Sequence, residues 1–116
     1  MSSHVIRLRA PWQRVQIGEG QLWRRRFGQP TGLEAADRLA LVVEGLAAAA
    51  EVSLNGRLLG NAGPAAGWRQ FDVTGLLVAR NELTLRTSEV IEPRGEGGPP
   101  CGVWLRIDSA DRSAEA

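Results

Sequence analysis

The sequence predicts an all-β fold, an antiparallel β-sandwich. Three observations point there. Apolar residues come in short runs that alternate with polar ones at period 2, the pattern of a strand with one face buried and one wet. Gly and Pro, 14 and 6 of the 116 residues, interrupt these runs and leave little room for a helix of ordinary length. An Asn-Gly pair stands directly between two apolar runs. It is the strongest short hairpin signal, because the type I′ turn needs positive φ at both central residues.

The elements follow in order. Val5, Ile6 and Leu8 form a first short run, and Val15 and Ile17 flank Gln16 in a second. Gly18-Glu19-Gly20 reads as a turn, since a phosphate loop would need a strand before it and a helix after. Leu22–Phe27 is closed by Gly28 and Pro30. Arg38–Gly45 is apolar enough to be buried on both faces. Glu51–Leu54 and the residues after Asn55-Gly56, with Leu58 and Leu59, make the hairpin. Arg69–Val73 places Phe71 and Val73 on one side. Asn81–Thr87 turns Leu83 and Leu85 inward. Gly102–Asp108 sets Val103, Leu105 and Ile107 against Trp104 and Arg106. These runs amount to about eight strands. Gly32–Asp37 and Gly45–Ala50 are Ala-rich and could each hold a helical turn.

Length and charge narrow the function. One domain is expected over residues 1–108, with a frayed polar tail over 109–116. Lys and Arg number 14 against 13 Asp and Glu. This near-balance argues against a nucleic-acid or anionic-membrane partner. Every basic residue is Arg, which excludes a Lys nucleophile or Schiff base. One Cys and one His exclude an internal disulfide and a zinc site of two or more His. No apolar stretch is long enough to cross a membrane as a helix. Met1–Trp12 has no apolar core of a signal peptide, so a cytoplasmic location is expected.

Several motifs, in order, resemble one family. Leu22-Trp23-Arg24-Arg25-Arg26-Phe27 with Pro30 looks like the opening strand of the sugar-binding jelly roll of glycoside hydrolase family 2. Arg38–Gly45 resembles its next strand, and Ala50–Gly60 is similar to its Asn-Gly hairpin. Phe71-Asp72-Val73-Thr74 with Leu76 and Leu77 looks like its corner. Asn81-Glu82-Leu83-Thr84-Leu85 and Gly102-Val103-Trp104-Leu105 resemble its later strands. The likeness spans about Gly20 to Asp108. It implies a galactose-binding-like jelly roll that accompanies a catalytic barrel, for which this chain has no room. The family often has an aromatic two places before the Phe of the corner. Here Arg69 holds that place and Trp68 comes one residue early, so either a bulge returns Trp68 to the core or its ring faces out.

Candidate site residues follow from this. Trp68, next to the small-residue loop Gly60–Gly67, would stack on a sugar ring if exposed. Glu92 and Arg94, in the breaker-rich loop Ser88–Pro100, would hydrogen-bond its hydroxyls. Glu89, Glu92 and Glu96 are also carboxylates that could hold Ca²⁺ or do acid–base work, although a plain solvated loop explains them as well. No metal and no cofactor is expected otherwise. Trp23 and Trp104 are expected in the core, and Cys101 as a buried structural thiol. Strand parity puts Arg25 with Trp23 and Phe27, half-buried and paired to Glu44 or Glu51, while Arg24 and Arg26 face solvent. No catalytic constellation is visible. The expected function is a non-catalytic carbohydrate-binding module. The alternative is a structural or protein-interaction domain that docks to itself or to another chain without a sugar site.

Overall fold

The structure, a computed structural model, describes residues 2–64 and 67–109. Among the described residues, nine strands form two antiparallel sheets. Their ranges are β1 Ser2–Arg7, β2 Gln13–Ile17, β3 Gly20–Gly28, β4 Arg38–Glu44, β5 Ala50–Leu54, β6 Arg57–Ala62, β7 Trp68–Asp72, β8 Arg80–Thr87 and β9 Gly102–Ser109. A four-stranded sheet runs β1-β9-β4-β7, and a five-stranded sheet runs β2-β3-β8-β5-β6. Each strand coincides with one of the runs read from the sequence, and pairing with β5 carries β6 on to Ala62. That pairing also takes Gly60, Asn61 and Ala62 out of the expected loop before Trp68. No α-helix forms among the described residues. Gly32–Asp37 and Gly45–Ala50 instead hold turns and a bend. Ser109 closes β9 rather than opening the tail. Ala65, Ala66 and the tail from 110 lie outside the described residues.

Alternation builds the core. From one sheet come Leu39, Leu41, Val43, Phe71, Val103, Leu105 and Ile107; from the other come Trp23, Val52, Leu54, Leu83 and Leu85, all buried. Two apolar faces closing on each other in this way are what hold a sandwich together. β4 is buried at every position from Leu39 to Val43, as its composition predicts. It lies between β9 and β7, so even its outward Ala40 and Val42 are covered by neighbours. Trp12 is buried as well, and its indole N–H donates to the Leu8 carbonyl at 2.8 Å.

The turns follow their residues. Asn55 has φ 52° and Gly56 has φ 82°, both positive as the hairpin requires. At the corner the Thr74 amide donates to the Asp72 carboxylate at 2.9 Å, and the Leu39 amide donates to the Thr74 hydroxyl at 2.9 Å. These bonds tie the end of β7 to the start of β4. The side-chain and backbone bonds from Thr74 hold the Asp72 carboxyl below its ordinary range.

Two glycines test this account. Gly56→Val forces a β-branched residue into the left-handed region and is expected to cost about 1–3 kcal/mol. At Gly20 a Cβ would stand 2.1 Å from the Thr87 carbonyl oxygen across the β3–β8 ladder. Gly20→Ala is therefore expected to cost about 1–3 kcal/mol through overpacking. Urea midpoints equal to that of the parent chain would show that neither position is constrained as described.

Candidate functional site

Strand parity decides which side chains leave the core. β7 pairs with β4 in unbroken register, Glu44 opposite Trp68 and Ala40 opposite Asp72. No bulge intervenes, so Phe71 enters the core and Trp68 does not; Trp68 is 55% exposed. The same parity turns Trp104 outward. It is half-buried on the outer face rather than in the core, because it shares its side of β9 with Arg106 and not with Leu105. The Arg7 guanidinium lies over the Trp104 ring, 5.3 Å from its centroid.

Trp68, Trp104, Val42, Glu44 and Arg106 line a shallow depression of about 220 Å³ on this face. Val42 forms an apolar floor between two indoles. Polar groups continue from it along the sheet. Arg106 donates to the Gln70 side-chain oxygen at 2.8 Å and pairs with Asp108 at 3.1 Å. Ser3 donates to the other Asp108 oxygen at 2.6 Å. The Ser3 and then the Arg106 bonds hold the Asp108 carboxyl below its ordinary range. Rings beside hydrogen-bonding groups fixed by one another suit a ligand with both apolar and hydroxylated faces.

The long segment between β8 and β9 is tied to both sheets. The buried Ile91 amide donates to the Gln21 side-chain oxygen at 2.8 Å on the five-stranded side. Arg94 reaches the other sheet: a Cβ at Gly45 would stand 2.8 Å from its guanidinium, and one at Gly102 would stand 3.6 Å away. Gly45 and Gly102 flank the end of the β4–β9 ladder, and the Gly45 amide donates to the Gly67 carbonyl at 2.8 Å, next to Trp68. Arg94 and Trp68 thus share one end of the four-stranded sheet. Glu92 is exposed between the two tethers and is not among the residues lining the Trp68 depression. Glu44, Trp104, Arg106 and Gln70 were not singled out as ligand groups in the sequence. Trp104 could have been, since it alternates in phase with a charged residue. Among the described residues no group of three or more His, Cys, Asp or Glu is placed to hold a metal ion.

Arg25 is half-buried on the side of Trp23, as parity predicts, but neither Glu44 nor Glu51 is its partner. Glu44 belongs to the other sheet's outer face, and Glu51 is exposed on β5 opposite Arg86. The Arg25 Nε donates to the Arg9 carbonyl at 2.7 Å, and a terminal nitrogen donates to the Arg26 carbonyl. One backbone carbonyl from the β1–β2 crossover and one from β3 itself stand where a carboxylate was expected. Desolvation pulls the Arg25 pKa down. Arg24 departs from expectation as well. It is half-buried and shares Glu82 with Arg26, at 3.5 and 3.3 Å.

These features define a class: a galactose-binding-like β-sandwich with a small aromatic and polar depression on one outer face. The glycosyl hydrolase 2 galactose-binding domain-like family matches residues 12–96, and the chain belongs to that family. No curated protein matches the chain. Among solved structures, the chain is similar to a β-glucuronidase of Bifidobacterium dentium solved with coumarin-3-O-glucuronide, with a TM-score of 0.76 at 19% identity; 95% of this chain and 31% of that chain are covered. A Bacteroides uniformis β-glucuronidase gives a TM-score of 0.73 at 14% identity, over 91% of this chain and 18% of that one. A rhamnosidase of Novosphingobium sp. PP1Y gives 0.69 at 14% identity, over 93% and 15%. At such identities the likeness is one of fold. The chain spans less than a third of each of these proteins.

Beneath Arg94 lies Cys101, fully buried. Burial pushes its thiol up from 9.0 to about 12, against smaller opposing effects of the Arg94 charge and a Glu44 backbone bond. The chain has no Tyr and no Lys, so this thiol dominates side-chain titration between those values. The folded pKa is the higher one. Its contribution to stability is therefore fully present below about pH 9 and is lost as the pH rises towards 12. The loss is expected at roughly 1 kcal/mol per pH unit. Denaturant titrations from pH 8 to 11 should show it, and Cys101→Ala should flatten the slope. An unchanged slope in that variant would place the alkaline loss elsewhere.

Proposed function

We propose that this chain is a non-catalytic carbohydrate-binding module, the accessory domain of a family 2-type glycosidase, with Trp68 as its stacking ring. The observation that carries the reading is exposed Trp68 on a regular strand, beside Trp104 and the charged residues Glu44 and Arg106. Trp68 is grouped with Trp104 and Val42 in one depression rather than scattered alone, and a sugar's C–H face fits such rings while its hydroxyls meet the polar rim. Arg94, at the same end of the sheet, is assigned to those hydroxyls. Glu92 is assigned to the outer edge of the ligand, beyond the depression. The ligand is a neutral or mixed saccharide; nucleic acid, membrane, cofactor and metal have no part in the proposal.

Affinity is expected to be modest, with a Kd on the order of 1 mM, because few contacts must offset the cost of immobilising a hydrated ligand. A second reading, docking to another protein chain, is favoured by the place of β7. It is an edge strand whose open main-chain groups adjoin Trp68.

Trp fluorescence during titration with mono- and oligosaccharides tests the first reading. Trp68→Ala should abolish the response while lowering stability by about 0.5 kcal/mol or less, as expected for an exposed side chain. If no sugar perturbs the spectrum at tens of millimolar, and light scattering shows a self-associated mass that Trp68→Ala abolishes, docking replaces it.

A further inference from the structure

The outer face of the four-stranded sheet carries a second depression, next to the one at Trp68. Arg38, Ala40, Gln70, Asp72, Arg106 and Asp108 line it, and it measures about 390 Å³. Register sets all six on one side. Across β4 and β7, Ala40 stands opposite Asp72 and Val42 opposite Gln70. Across β4 and β9, Arg38 stands opposite Asp108, Ala40 opposite Arg106 and Val42 opposite Trp104. Directly opposed residues project from the same face of a sheet, so both depressions open on one surface. The first lies about Val42 and Glu44, the second about Arg38 and Ala40. Four residues of extended strand separate them, about 13 Å, which is more than one sugar ring spans.

The two depressions are continuous through Arg106, which lines both. Buried Ala40 and Val42 give a low floor along β4, between the longer side chains of β7 and β9. Over that floor a terminal nitrogen of Arg106 donates to the Gln70 side-chain oxygen at 2.8 Å, joining β9 to β7. The Arg106 Nε donates to Asp108 at 3.1 Å, which fixes the guanidinium from its other side. Among the described residues the second terminal nitrogen and the Gln70 amide nitrogen stay unspent, so the bridge keeps donors for a ligand.

Charge is balanced in the second depression: Arg38 and Arg106 stand against Asp72 and Asp108. Both carboxylates are held in place, Asp72 by the Thr74 amide and Asp108 by Ser3 and Arg106. Such a set has no net attraction for an ion. It does place donors beside acceptors, which suits neighbouring hydroxyls, since each hydroxyl both donates and accepts.

We propose that the two depressions are consecutive subsites for one uncharged, extended oligosaccharide lying along β4. One ring stacks on Trp68, the chain crosses the Arg106–Gln70 bridge, and a farther ring meets Arg38 and Asp72. The proposal rests on the Trp68 reading and adds to it length, neutrality and direction. The ligand runs from the Arg94 end of the sheet towards the start of β4.

The test is an amide-resolved NMR titration of the whole chain with glucose, cellobiose, cellotriose and cellotetraose, with xylo- and manno-oligosaccharides of the same lengths, and with trigalacturonate. In at least one uncharged series affinity should rise about tenfold from mono- to tetrasaccharide, the effect of one or two added hydrogen bonds. The monosaccharide should shift amides near Trp68, and the tetrasaccharide those of Ala40 and Asp72 as well. Arg38→Gln and Asp72→Asn should each lower tetrasaccharide affinity several-fold and leave the monosaccharide unchanged. Asp72→Asn keeps a side-chain oxygen for the Thr74 amide, and melting curves establish that each variant is folded. Trp68→Ala should weaken every length, and Arg86→Gln, on the other sheet, none. Equal affinities for all lengths, with Trp68→Ala still weakening them, would confine the ligand to the first depression and overturn this inference alone. Trigalacturonate binding more tightly than the uncharged trisaccharides would overturn neutrality. No shift with any sugar at tens of millimolar would remove both this inference and the Trp68 reading.

Discussion

Everything in this domain depends on two sheets closing face to face over one apolar layer. Each strand can turn only every second residue inward. Leu41, Leu83, Leu85, Leu105, Val43, Val52 and Trp23 are almost completely removed from water by that closure. Removing such area from water is the main favourable contribution to the fold. It also fixes the register of each strand, because a slip by one residue would send the buried set into solvent. The outer faces are then determined too. Trp68 is exposed because Phe71, three residues on in an unbroken ladder, is inside.

The two outer surfaces have different chemistry as a result. The four-stranded face carries indoles over Val42, bordered by a chain of polar contacts from Gln70 through Arg106 and Asp108 to Ser3. The five-stranded sheet carries arginines that outnumber their carboxylates at the Asn55-Gly56 end. A chain whose basic residues are all Arg holds these positions with planar, permanently charged groups that can bond in two directions at once. The same property lets Arg25 sit half-buried on backbone carbonyls, where loss of its partners would leave a costly unpaired charge. It also lets one carboxylate, Glu82, serve both Arg24 and Arg26.

The family match and the structural neighbours establish the galactose-binding-like jelly roll. Fold alone does not define what such a domain holds, since function resides in particular side chains grafted on the frame. Those side chains are what distinguish the two ends of this sandwich. At one end the loop between β8 and β9 crosses from Ile91, anchored on the five-stranded sheet, to Arg94, over Gly45 and Gly102. At the other, the paired amides of Asn55 and Asn81 brace the hairpin against β8.

By itself the sequence determined what is local. Period-2 alternation marks the strands, Asn55-Gly56 marks its turn, and the apolar run from Leu39 to Val43 marks a strand covered on both sides. Each depends on backbone preferences and on burial along a single strand, which neighbouring residues in sequence record. Parity also placed Arg25 beside Trp23 and paired Trp104 with Arg106. Only the tertiary structure decided what those side chains meet. That Arg25 bonds the Arg9 carbonyl rather than Glu44 or Glu51 depends on the β1–β2 crossover lying against β3. That Trp104 lies outside with Trp68, and that Arg94 reaches their end of the sheet while Glu92 stays away from their depression, depends on which strands lie side by side. Strand order is set by the lowest free energy of the whole packed chain, and contacts between residues distant in sequence leave no periodic signal in it.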